Sequence, residues 1–188
     1  MLPAADGLQK QLLRRIAAED RQALADLYDQ LAGSLFAIAY RILGDRHEAE
    51  EVIQDVFVQI WDKAATFDPV MAAPFTWALS ITRNRSIDRL RSRQRRARLM
   101  DDLEHATEVN STPGAPGSDF HLADDELTTI RSAVHSLPLE QRQAIEMAFF
   151  GGKTHLEIAE ELQEPLGTIK ARIRRGMLRL RESLQAYV

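Results

Sequence analysis

The fold of this chain is decided by the stretch THLEIAEELQEPLGTIKARIRRGMLRLRESL, from Thr154 to Leu184. Two apolar-periodic segments flank a short break at Gln163-Glu164-Pro165. Ile158, Ala159 and Leu162 form the apolar stripe of the first segment. Ile169, Ile173, Leu178 and Leu180 carry that of the second, at spacings near the helical period. The other side of the second segment is almost wholly cationic, with Lys170, Arg172, Arg174, Arg175, Arg179 and Arg181. A short amphipathic helix, a tight turn and a longer basic helix make the sequence form of a helix-turn-helix DNA reader.

The rest of the chain bounds what kind of DNA-binding protein this is. At 188 residues it has room for one full core or two small ones. A hydrophobic content of 45% fits a globular protein. The absence of cysteine excludes disulfides and thiolate zinc sites. No apolar run approaches the roughly 18 residues that a membrane span needs. The N-terminal MLPAADGLQKQLL lacks a cationic region followed by an apolar one, so a cytoplasmic protein is expected. His47, His105, His121, His135 and His155 are scattered, and none has a second histidine at i+4. There is no glycine-rich phosphate loop. No metal, cofactor or catalytic role is expected.

Net charge is −4, which taken alone argues against a nucleic-acid binder. Its distribution reverses that argument. Arg83 to Arg98 holds eight arginines against one acid, Asp88, whereas Asp101 to Glu126 holds eight acids and no Lys or Arg. With the basic C-terminal helix, this segregation leaves two cationic surfaces that can each meet phosphates.

In order, the chain reads as all helix. Leu8 to Ala18 is amphipathic. Asp20 is placed to cap a helix running from Leu24 to Ile42, with Gly33-Ser34 as a candidate bend and Gly44 as its C-terminal stop. Asp45 and Glu48 have the spacing of a capping box. Ala49, Val52, Ile53, Val56, Phe57, Ile60 and Trp61 then follow a strict helical stripe, opposite an acidic face that includes Val58. Thr66 to Pro74 is a loop with proline near both ends. The helix from Phe75 to about Arg98 opens apolar and turns arginine-rich, and Trp77, Ile81, Asn84 and Asp88 share a stripe by spacing. Glu108 to Asp119 (EVNSTPGAPGSD) has the composition of a linker. Leu122 to Leu137 suggests a helix ending near Ser136, Pro138 starts another that Gly151-Gly152 stops, and Thr154 is placed to cap the first helix of the motif.

Four stretches together resemble the extracytoplasmic-function sigma factors of bacterial RNA polymerase, the small members of the sigma-70 family. They are DRHEAEEVIQDVFVQIWDKAATFDP, PFTWALSITRNRSIDRLRSRQRR, SLPLEQRQAIEMAFFGGKTHLEIAEELQEPLGTIKARIRRGMLRLR, and an acidic linker between the second and third. The resemblance implies an all-α fold of two small domains: region 2 over 1–98, a flexible acidic linker over 99–121, and region 4 over 122–188. It implies a subunit that binds core RNA polymerase and directs promoter recognition, strand opening and initiation.

In such proteins the capped acidic helix meets the clamp helices of the polymerase large subunit, which here points to Glu51, Gln54, Asp55 and Val58; region 4 meets the flap. The loop matches the one that takes a flipped base of the −10 promoter element, with Phe67 and Met71 as its apolar surface. Asn84 matches a position reading the −10 strand, with Asp88 beside it, and Arg83, Arg85, Arg89, Arg91 and Arg93 would hold phosphates. On the second helix of the motif, Lys170, Ala171, Arg174 and Arg175 fall at positions facing the −35 element. Arg172 is assigned to phosphate or to packing, and Thr168 offers its hydroxyl and backbone N–H to a phosphate. The family commonly has a glycine where this chain has Gln163, and often a serine where it has Ala171. Members are commonly held inactive by an anti-sigma factor. The alternative reading is a dimeric helix-turn-helix regulator that acts without polymerase. It accounts for the C-terminal motif but not for the acidic helix or the arginine-rich one.

Overall fold

The computed structural model describes residues 2–101 and 132–185, and every described element is helical. The chain divides into two compact units, Met1–Phe120 and His121–Val188. The first contains α1 (Leu2–Ile16), α2 (Arg21–Leu43), α3 (Arg46–Lys63), a 3-10 turn (Ala64–Thr66) and α4 (Pro74–Asp101). The second contains α5 (Leu139–Phe149), α6 (His155–Glu161) and α7 (Leu166–Gln185). The EVNSTPGAPGSD stretch and Leu122 to Ile130 lie outside the described residues. The linker expected from residue 99 begins as helix, because α4 runs on to Asp101.

In the first unit α2 is the central element, and α1, α3 and α4 all pack on it. Leu27, Leu31, Leu35 and Ala39 of α2 meet Leu12, Leu13 and Ile16 of α1 and the apolar stripe of α3 in one buried cluster. No interruption occurs at Gly33-Ser34. Helix α2 is continuous, because its apolar stripe passes unbroken on the face opposite the exposed Gly33. Its ends are capped as expected: Asp20 accepts from the Gln22 and Ala23 N–H groups, and Gly44 closes the helix in the left-handed conformation with φ 67. The carboxyl of Asp20 is held below its ordinary value, first by the Arg15 side chain and then by the Ala23 N–H. This cap contributes fully above the ordinary carboxylate pKa and is lost as pH falls through the lowered one.

Only half of the capping box expected at Asp45 forms. Asp45 accepts from the Glu48 N–H at 2.9 Å, but the Glu48 carboxylate turns away to bind arginines of α4. A complete box stands at α6, where Thr154 and Glu157 satisfy each other's backbone N–H.

In the second unit Ile158, Ala159 and Ile169 form the buried centre, with Met147, Ala148, Leu162 and Ile173 packed around it. Leu178 is 48% exposed and does not belong to the inward stripe of α7. Gly176 takes that place, one helical repeat beyond Ile169 and Ile173. A Cβ there would stand 2.5 Å from Ile145 Cδ1 and 3.3 Å from Gln141 Cβ, so α5 and α7 approach too closely for a larger side chain.

The turn of the motif is closed by Gln163 at φ 53, with its side-chain Nε2 donating to the Glu160 carbonyl at 2.8 Å. Left-handed backbone costs a non-glycine residue about 1–2 kcal/mol, which the side-chain bond partly offsets. A β-branched residue suffers more in this conformation. We expect Gln163→Val to lower the stability of the second unit by about 1–2 kcal/mol, and Gln163→Gly to leave it unchanged or raise it by up to about 1 kcal/mol. Amide hydrogen exchange of α6 and α7 in the full chain measures both.

Candidate nucleic-acid interface

The arginine-rich helix α4 is divided lengthwise by its packing. Its inward stripe begins at Ala78, Thr82 and Ser86, all buried, with the Thr82 and Ser86 hydroxyls donating to the Ala78 and Thr82 carbonyls. Carried on at helical spacing, the stripe reaches Arg89 and Arg93, where the apolar core thins to the partly buried Leu90. Arg93 Nη1 donates to Glu48 at 3.2 Å and its Nη2 to the Leu43 carbonyl at 3.0 Å. Arg89 pairs with Glu51 and lies 3.9 Å from Glu48. These contacts bind α4 to the N-terminal turns of α3 and to the last turn of α2, where a helix end attracts a cation.

Arg89 and Arg93, both expected on phosphates, are therefore engaged within the fold. Arg85 is exposed but donates from Nε to Gln59 of α3 at 3.0 Å. The guanidinium of Arg83 is held below its ordinary value, first by partial burial and second by the charge of Arg91. The expected stripe of Trp77, Ile81, Asn84 and Asp88 does not hold as one environment. Ile81 is buried and Trp77 half-buried, whereas Asn84 and Asp88 are exposed while Ser86 and Ile87 beside them are buried, so Asn84 and Asp88 face away from the core. Asn84, Asp88, Arg91 and Arg95, at steps of four, three and four, form its outward face, and all four are exposed. Arg95 and its exposed neighbour Arg96 received no role from sequence. Their place beyond the core boundary at Ile87 is the signal for one.

At the foot of α4 the loop side chains separate. Phe67 is half-buried against Trp77, ring centroids 5.3 Å apart, while Met71 is 82% exposed. The acidic face of α3 likewise splits. Gln54, Asp55 and Val58 are exposed, Val58 by 61%. Glu51 is taken by Arg89, with His47 Nδ1 at 3.6 Å on its other side. Beside Gln54 a groove of about 360 Å³ runs between α2 and α3, with Tyr28, Phe36 and Ile53 in its lining. Tyr28 was missed in sequence because its ring packs on Phe57 at 4.8 Å yet stays 45% exposed.

The same division recurs on α7. Arg172 turns inward, 2.8 Å from Glu164 and 3.5 Å from Glu140, with only 15% of its side chain exposed. Packing is the role the fold gives it. Arg179 donates to Gln141 at 3.3 Å. Lys170, Arg174 and Arg175 remain exposed, Arg175 leaning back to donate to the Ala171 carbonyl at 3.3 Å, and Ala171 lies half-buried beside them. The backbone N–H of Thr168 already donates to the Pro165 carbonyl at 2.9 Å, so the offer of that group to a phosphate is corrected to the hydroxyl alone.

Residues 27–96 match the family model for sigma-70 region 2, and residues 127–180 match that for sigma-70 region 4. The chain is 35% identical over 173 residues to the ECF RNA polymerase sigma factor SigK of Mycolicibacterium vanbaalenii, covering 92% of this chain and 87% of that protein. The chain belongs to the extracytoplasmic-function sigma factors. This sigma factor is also 32% identical over 174 residues to SigK of Mycobacterium tuberculosis, covering 92% and 91% of the two chains. Among solved structures it is similar to Rhodobacter sphaeroides SigE in complex with the anti-sigma ChrR, with 32% identity, coverage of 89% and 95%, and a TM-score of 0.47. As a member of this family it directs transcription initiation, and both of its helix-based cationic surfaces fall inside the matched regions. Among the described residues no group of histidines and acids is placed to hold a metal, and no helix is long and apolar enough to cross a membrane.

Removing Arg93 leaves a carboxylate and a helix-end carbonyl without their donor. Charged hydrogen bonds are worth about 1.5–3 kcal/mol, which solvent access to Arg93 reduces, so Arg93→Ala is expected to destabilise the first unit by about 1–2 kcal/mol. Arg95→Ala, on the outward face, is expected to stay within about 0.5 kcal/mol. Both tryptophans, Trp61 and Trp77, lie in the first unit, so intrinsic fluorescence during urea unfolding reads it selectively.

Proposed function

We propose that residues 1–98 bind core RNA polymerase and open the −10 element, and that residues 122–188 grip the −35 element. The observation that carries this reading is the lengthwise division of α4. Its inward Arg89 and Arg93 are paired with α3 and α2, and its outward face presents Asn84, Asp88, Arg91 and Arg95, all exposed.

Within that face Asn84 supplies both a donor and an acceptor to a base edge, while Arg91 and Arg95 meet phosphates. Arg83 and Arg85, at the start of the same stretch, add phosphate contacts once an anion outbids their neighbours. Phe67 buttresses the loop from within the fold, and Met71 is its exposed surface. On α7, Lys170 and Arg174 read guanine edges or phosphates in the major groove, Arg175 and the Thr168 hydroxyl hold the backbone, and Ala171 offers a methyl rather than a hydroxyl. On α3, Gln54, Asp55 and Val58 form an apolar spot with an acidic rim, suited to a basic coiled-coil partner. Glu51 acts there only through its pairing with Arg89.

Strand opening follows from binding the separated strand better than the paired one, with no nucleotide hydrolysis. The chain acts as a non-enzymatic subunit in the cytoplasm, where polymerase works. The similar SigE structure is a complex with an anti-sigma factor, and by analogy an anti-sigma partner is proposed here to cover the polymerase-facing surfaces. The dimeric regulator gives way, because it leaves the region 2 half of the chain without a task.

Run-off transcription with core polymerase and the purified chain tests the reading: initiation should require both. Tight palindrome-dependent binding by the chain alone, with no effect on core polymerase, would refute it. Asp55→Lys is expected to weaken core affinity by about tenfold or more through like-charge contact, measured by fluorescence anisotropy of labelled chain. Lys170→Ala should cost about 1–3 kcal/mol of −35 discrimination if it reads a guanine, and Arg174→Ala should lower the salt slope of promoter binding by about one. Asn84→Ala should instead alter −10 selection. If the α4 and α7 variants fail at the same step on the same promoter variants, the division of labour is wrong.

A further inference from the structure

The polar face of α3 and the arginines of α4 meet along one seam, rung by rung. Gln59 accepts from Arg85 Nε at 3.0 Å, Glu51 pairs with Arg89, and Glu48 accepts from Arg93 Nη1 at 3.2 Å. Positions fall along α3 as they rise along α4, so the two helices run antiparallel here. The middle rung joins groups that the family resemblance gives to different partners, Glu51 to polymerase and Arg89 to a phosphate. One ion pair therefore occupies both groups, and neither is open to its own partner while the pair is closed.

The rungs differ in how firmly they are held. Arg93 also donates to the Leu43 carbonyl, and only 20% of the Glu48 side chain is exposed. The Glu51–Arg89 pair stands farther out, with 43% and 31% of its side chains exposed. Ion pairs open to water contribute little to stability, so this one is readily exchanged. The charges of the seam also balance only while it is closed. Glu48 and Glu51 offset Arg89 and Arg93, with the exposed His47 3.6 Å from Glu51 on the outside. Once Glu51 is withdrawn, Glu48 alone faces both arginines, bound to Arg93 and 3.9 Å from Arg89. One positive charge is then uncompensated, on a helix whose outward face carries Arg91 and Arg95. The same stripe of α3 supplies the means of withdrawal. Asp55 lies one turn beyond Glu51, is exposed, and has no ion-pair partner among the described residues. A cation drawn to Asp55 meets Glu51 next.

We propose that the Glu51–Arg89 pair is an exchange contact: a cation of the polymerase takes Glu51, and the released Arg89 takes a phosphate of the promoter strand. The seam is then a phosphate site that forms on polymerase binding, with Arg85 one turn before Arg89 and Arg93 one turn after it. The exchange rests on the sigma-factor reading and adds a link between its two binding events. Such a link is reciprocal: polymerase strengthens the hold on DNA, and DNA strengthens the hold on polymerase by the same factor.

The test follows DNA binding by the full chain, alone and in holoenzyme, through the fluorescence anisotropy of a labelled −10 strand from a promoter that the holoenzyme transcribes. In the free chain Glu51→Gln should tighten binding about fivefold and steepen the log–log salt dependence by about 0.7, the share of one phosphate on a single strand. Adding Arg89→Gln should remove both gains. Glu50, paired with Arg46 at 2.9 Å, is the control, and Glu50→Gln should stay within about twofold. In holoenzyme Glu51→Gln should add less than in the free chain, because the pair is already open. Arg89→Gln should there cost about fivefold, and Arg89→Lys should recover most of that loss. A gain that survives Arg89→Gln, or that Glu50→Gln matches, is general charge and overturns the exchange. A Glu51→Gln gain as large in holoenzyme as in the free chain overturns it too, and this comparison decides the matter even where Arg89→Gln does not fold. Failure of the unaltered chain to form a transcribing holoenzyme would overturn the sigma-factor reading, and the exchange with it.

Discussion

The first unit depends on a small set of charged contacts at one end of its helices. Arg93 reaches both Glu48 and the Leu43 carbonyl, and Arg89 reaches Glu51 and Glu48. Beyond Ile87 only the partly buried Leu90 still packs on the core, so these contacts carry much of what holds the next turns of that helix to the bundle. Arginine suits the task because a planar guanidinium can satisfy a carboxylate and a backbone carbonyl at once. The consequence is functional as well as structural. By engaging the inward cations, the contacts determine which arginines of α4 and which acids of α3 are presented on the outside.

The second unit solves the same problem on a smaller scale. Arg172 and Arg179 fasten α7 to Glu140, Glu164 and Gln141, and Lys170 and Arg174 are left outward. In both units, a helix that looks uniformly basic in sequence is half fastening and half contact surface. This also explains how a chain of net charge −4 presents cationic surfaces. The excess of acids is concentrated between Asp101 and Glu126, away in sequence from the exposed arginines of both helices.

The turns show a second common device, a polar side chain that holds backbone in place of a regular element. Asp68 organises the loop below α4, and Gln163 closes the turn of the helix-turn-helix motif from a left-handed conformation that glycine adopts without strain. Each places an exposed group at the start of a helix without a large core behind it. The exposed Val70 and Met71 and the start of α7 are positioned by these local bonds, not by burial.

The sequence by itself determined the helices, most of their caps and the family. Strong periodicity marked α3, Asp20, Gly44 and Thr154 punctuated the chain as read, and the joint order of the motifs identified a sigma factor. It also located both basic helices. It did not divide their residues, because Arg89 and Arg91, or Arg172 and Arg174, differ only in the direction each leaves its helix and in what stands opposite. That was decided by tertiary structure, where Glu48, Glu51, Glu140 and Glu164 meet arginines 8 to 45 residues away in the chain. The replacement of Leu178 by Gly176 in the inward stripe, and the exposure of Val70, were decided in the same way. Spacing fixes which side chains share a face, but only the approach of another helix, or its absence, makes that face a core, a fastening or a surface for DNA.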